Sequence, residues 1–155
     1  MTDDGFTPDE ARLLGPLLDA IIPPSHDGRL PAAGSLGLLD ALATRIRATP
    51  MLQPVVEYGL GALAAAAAAR NPDGWPALTP AERTAVLAEF AAADQFFMPA
   101  FLFVVYAAYY EHPRVVTALG LEPRPPHPQG YAMDADDDLD ALLARVRARG
   151  AIHRG

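Results

Sequence analysis

The sequence predicts an all-α fold: an irregular bundle of about six to seven helices with a proline-rich C-terminal strap. Three observations carry this. Apolar residues recur at helical i, i+3, i+4 spacing in segment after segment, while no alternating run of strand length stands out. Thr-Pro-x-Glu occurs twice, at Thr7 to Glu10 and at Thr79 to Glu82, each a capping box with proline at the first helical position. Prolines (16) and glycines (12) punctuate the intervals. At 155 residues, one domain over 1–155 with a core of its own is expected.

Each element has its own reason. Residues 1–6 read as a flexible N-terminus. Helix one follows Thr7, with Leu13, Leu14, Leu17, Leu18, Ile21 and Ile22 on one face, and Pro23-Pro24 ends it. Residues 25–34 form a loop. Helix two starts near Ser35, carries Leu36, Leu39, Leu42 and Ile46, and breaks at Thr49-Pro50. Helix three runs from about Met51 to Arg70, where an alanine-rich half favours close helix packing. A turn-rich loop at 71–78 holds Trp75, the single tryptophan. Helix four follows the second capping box, with Val86, Leu87 and Phe90. Helix five spans about 95–111, with Pro99 as a kink or a first-turn residue. A short helix from Arg114 to Leu119 stops at Gly120. The strap covers 121–133, since proline fixes φ and lacks an N–H. The last helix, 134–150, begins in an aspartate cluster and ends among arginines, as the helix dipole favours.

Composition excludes whole classes of function. Cysteine is absent, which removes disulfides and thiolate chemistry. All 12 basic residues are arginine, which removes Schiff-base chemistry and the phosphate-loop lysine. A formal net charge of −7, with arginines concentrated only at 145–154, argues against nucleic-acid binding. The acidic start MTDDGFTPDE shows no basic stretch followed by an apolar run and no twin arginine, so a cytoplasmic location is expected. Gln95 to Tyr110 is shorter than a membrane span needs, so no transmembrane segment is expected.

Candidate chemistry is sparse. None of His26, His112, His127 and His153 lies in a helical HxxxH or ExxH pair. Glu111 and His112 are adjacent and so point to different sides. A zinc site from His112, His127 and a carboxylate has no supporting spacing. Asp134 to Asp138 lacks the ordered spacing of a calcium loop and reads as a solvated helix start. Nucleophile elbows and glycine-rich phosphate loops are absent. We therefore expect no catalytic residue and no cofactor or metal on this chain.

What remains is aromatic. Seven rings, Phe96, Phe97, Phe101, Phe103, Tyr106, Tyr109 and Tyr110, occur all round one helix. That implies burial on both sides, at the centre of the domain or against another chain. The strap segment Pro126, His127, Pro128, Gln129, Gly130, Tyr131 is either a loop packed on the bundle or a stiff arm lying on a partner.

Together, Phe6-Thr7-Pro8-Asp9-Glu10, Leu78 to Glu82, Tyr109-Tyr110-Glu111-His112-Pro113, Leu119-Gly120 and the Pro126–Tyr131 strap resemble the gluconate 2-dehydrogenase subunit 3 family over about residues 7–150. The resemblance implies a non-catalytic accessory subunit. Its partner would be a large FAD-dependent oxidoreductase of the glucose–methanol–choline (GMC) type, sometimes with a cytochrome. FAD and catalysis would reside on that partner. Family members often begin with a twin-arginine signal, which this sequence lacks, so a stabilising or active-site-completing role is expected over export. The expected interface is Phe96, Phe97, Tyr109, Tyr110, His112, Pro113, Pro126, His127, Pro128, Gln129, Gly130 and Tyr131. Within it, His127, Gln129 or Tyr131 would reach the partner's substrate cleft. The alternatives are an independent metal-binding helical protein or enzyme, and a homo-oligomer paired through the aromatic helix.

Overall fold

A computed structural model describes residues 5–123, together with 143–144 and 147–149. The chain divides into two compact units, Met1–Pro123 and Arg124–Gly155. Within the first unit, the described residues form six α-helices and two short 3-10 helices, with no strand. The all-α expectation therefore holds. In the second unit, 143–144 and 147–148 are helical. The rest of the predicted last helix, and the strap beyond Pro123, lie outside the described residues.

Helix α1 (Pro8–Ile21) starts at the predicted capping box. The Thr7 N–H donates to Glu10 Oε2 at 2.7 Å, and the Glu10 N–H donates back to Thr7 Oγ1 at 3.3 Å. Its inward face is Leu13, Leu14, Leu17 and Leu18. The second helix departs from expectation. Ala33–Leu36 is a 3-10 helix, and α2 runs only over Leu39–Arg47. Gly37 separates them at φ 65°, a left-handed conformation that glycine adopts without a Cβ clash. Leu36 and Leu42 are both buried, so an apolar pattern that reads as one helix is shared by two.

Helix α3 (Leu52–Arg70) is the central element, with Val56, Leu60, Leu63 and Ala67 inside the core. Among the described residues it is the one helix long and apolar enough to cross a membrane, by length and composition. Its buried positions pack against α2, α4 (Pro80–Ala93) and α5 (Phe97–Glu111). The loop after it holds the second 3-10 helix, Trp75–Ala77, which seats the buried Trp75. Arg83 fixes that turn by donating from Nη2 to Pro76 O at 2.8 Å. Helix α4 (Pro80–Ala93) repeats the capping box at Thr79 and Glu82. It is tied to α3 by Arg70 and Glu89 at 2.6 Å. Helices α5 (Phe97–Glu111) and α6 (Pro113–Ala118) complete the unit. Pro99 thus falls in the first turn of α5, where its missing N–H has no intrahelical partner to lose.

Candidate interaction surface

Helix α5 is built to face two ways. Its start is held by Asp94, whose Oδ1 accepts from the N–H groups of Phe96 and Phe97 at 2.8 Å each. Its inner face is Phe97, Phe101, Val104, Val105, Ala108 and Tyr109. Phe97 stacks on Phe101 at 5.1 Å between centroids and meets Phe90 edge-on at 5.7 Å. The Phe97 ring occupies the space of a missing side chain: a Cβ on Gly59 would lie 2.1 Å from it. Tyr109 donates its hydroxyl to Pro31 O at 2.8 Å, pinning α5 to the loop after α1. Burial, and then the neighbouring Tyr110, hold the Tyr109 hydroxyl above the usual phenol range.

The outer face is aromatic too, and exposed. Phe96 is 69% exposed, Phe103 75%, Tyr106 43% and Tyr110 50%. Tyr106 and Tyr110 stack at 6.3 Å, so this face is itself ordered. Beside it runs a groove of about 440 Å³ lined by Arg45, Ala48, Thr49, Leu52, Ala100, Phe103, Val104 and Ala107. An ion pair between Arg45 and Glu111 links α2 to the end of α5. Of the two alternatives for all-round burial, the domain itself provides only half, which leaves cover by another chain for the other side. One side is core and the other is open, because the bundle covers only the side facing α2, α3 and α6.

The expected interface residues part company accordingly. Phe97 and Tyr109 are buried in the chain's own core. Phe96 and Tyr110 lie on the open face. His112 and Pro113 form the corner between α5 and α6: Pro113 is the first residue of α6, and His112 Nδ1 accepts from the Arg114 N–H at 3.3 Å. A structural cap explains that histidine. Pro126, His127, Pro128, Gln129, Gly130 and Tyr131 lie outside the described residues. Phe103 and Tyr106, named among the seven rings, were left out of the expected interface, although their spacing from Phe96 and Tyr110 held the signal: 96, 99, 103, 106 and 110 step by three and four along one stripe.

Among the described residues no charged or polar side chain is buried, and no three histidine or acidic groups come together to hold a metal. An open apolar face with no convergent polar groups is suited to binding another surface.

The family described as gluconate 2-dehydrogenase subunit 3 matches residues 8–123. The chain belongs to the gluconate 2-dehydrogenase subunit 3 family. The match covers all six helices and ends at Pro123, within the predicted strap and short of Pro126–Tyr131. The aromatic helix and the Tyr109-to-Pro113 corner are thus part of the family fold. No curated protein and no solved structure matches the chain.

Proposed function

We propose that this chain is a non-catalytic small subunit that binds and stabilises a large FAD-dependent oxidoreductase of the GMC type acting on a sugar, sugar acid or other alcohol. Family membership supplies the assembly, since the family is described as the third subunit of a dehydrogenase. The observation that carries the reading to this chain is the open aromatic face of α5, four exposed rings on one helix whose other side is core. Burying such rings against a partner is a strong source of association energy, and aromatic residues are enriched in interfaces. FAD and the redox step belong to the partner in this reading, and a cytochrome is a further candidate member. Phe96, Tyr110, His112 and Pro113 border the proposed contact.

Co-expression tests the proposal. A GMC-type subunit made with this chain should be soluble, yellow and active as a dehydrogenase with an artificial electron acceptor. The same subunit made alone should be largely insoluble or inactive. Equal yield and activity with and without this chain would defeat the proposal.

A further inference from the structure

We infer that, while the chain is free of a foreign partner, its open α5 face is covered by a second copy of itself in antiparallel, two-fold pairing. This inference does not rest on the accessory-subunit reading.

The stripe is narrow and straight. Phe96, Pro99, Phe103, Tyr106 and Tyr110 fall within about 80° of one another at 100° per residue and extend along about 21 Å of axis. That is the three-four spacing with which two helices pack side by side. The stripe is also nearly symmetric about its middle. Phe103 lies midway between Phe96 and Tyr110, so a two-fold axis at Phe103 sets Phe96 of each copy over Tyr110 of the other. Such self-matching is what an isologous contact requires.

Charge favours the same arrangement. Glu111 is the only charged residue of α5, and it is paired with Arg45. Asp94 marks the N-terminal end; at the other end Arg45 and Glu111 offset each other and the exposed Arg114 leaves a net positive charge. Antiparallel pairing sets the Asp94 end of each copy against the arginine-bearing end of its mate, and it opposes the helix dipoles. Parallel pairing would set Asp94 against Asp94. The area is adequate and modest. At about 200 Å² per aromatic side chain, the four exposed rings present roughly 450–500 Å² per copy. Doubled, this reaches about 1,000 Å², the floor for a specific interface. The groove rim at Thr49, Leu52 and Ala100 adds to it. A weak, concentration-dependent dimer follows. It competes with any foreign partner for the same face.

Sedimentation velocity on the full chain across a wide concentration range tests this, together with two substitutions at Phe103. The wild-type chain should pass from monomer to dimer. Phe103→Asp, which would face its own copy across the axis, should raise the dissociation constant by about 100-fold or more while leaving the circular dichroism unchanged. Because the chain has no cysteine, Phe103→Cys should give a disulfide-linked dimer on mild oxidation, and Tyr58→Cys, on exposed α3 surface, should not. The cysteine pair decides the matter if Phe103→Asp perturbs folding. A monomer at every concentration would overturn the inference and leave the face to the chain's own C-terminal segment or a foreign partner. A dimer indifferent to Phe103→Asp, or equal cross-linking at both positions, would overturn it too.

Discussion

Two residues show how closely the core is fitted. Gly59 is the socket for Phe97, and any side chain there would meet the ring. Gly59→Ala adds helix propensity but overfills the site, and the clash dominates, so a loss of about 1–3 kcal/mol should appear as a lower Tm by calorimetry. Tyr109 joins α5 to Pro31 through one hydroxyl. Tyr109→Phe should cost about 1 kcal/mol, because the ring still fills its place while the carbonyl loses a donor. The raised pKa of Tyr109 adds a pH signature. As pH climbs past the ordinary phenol value of 10.0, the unfolded chain ionises first. Stability from this group is present below that pH and lost as pH rises through the folded value. Urea titrations across that range should show a shallower alkaline decline in Tyr109→Phe. The role of Gly59 becomes legible only once Phe97 is placed opposite, a contact across 38 positions that no local pattern encodes.

At the scale of elements, local chemistry was most legible where it is self-contained. The two capping boxes need four residues each, and both formed as read. Thr7→Ala should destabilise the protein by about 1 kcal/mol, measured by denaturant midpoint, since α1 brings four core leucines. Glu82 has a lowered pKa because the Thr79 N–H and then its hydroxyl donate to the carboxylate. Its contribution is therefore present above the ordinary carboxyl pKa and lost as pH falls through the folded value. Glu82→Gln should flatten the acid limb of the stability profile, and an unchanged limb would show that the box is electrostatically neutral. Helix two was misread because Leu36, Leu39, Leu42 and Ile46 fit one helical face, while Gly37 supplies a turn that the apolar pattern does not register. Helix α5 was legible as aromatic but not as two-faced. Rings on both sides look alike in sequence, and only the positions of α2, α3 and α6 decide which side is covered.

At the scale of the whole molecule, the buried core among the described residues runs from Leu13 to Val115, within the span that the family match covers. A chain ended after Pro123 should keep its cooperative thermal transition and most of its helical circular dichroism. A non-cooperative melt would mean that the last 32 residues are needed for the core. The partner, unlike the fold, is not encoded in periodicity. What indicates one is a residual: large rings that the bundle had no surface to cover. The account turns on that residual. The most direct measurement is affinity purification of the tagged chain from its own cells, with a visible absorbance scan and subunit masses of the eluate. The account predicts a larger, flavin-coloured protein of the GMC type in fixed stoichiometry, with dehydrogenase activity. A colourless eluate holding this chain alone, or only copies of it, would contradict it.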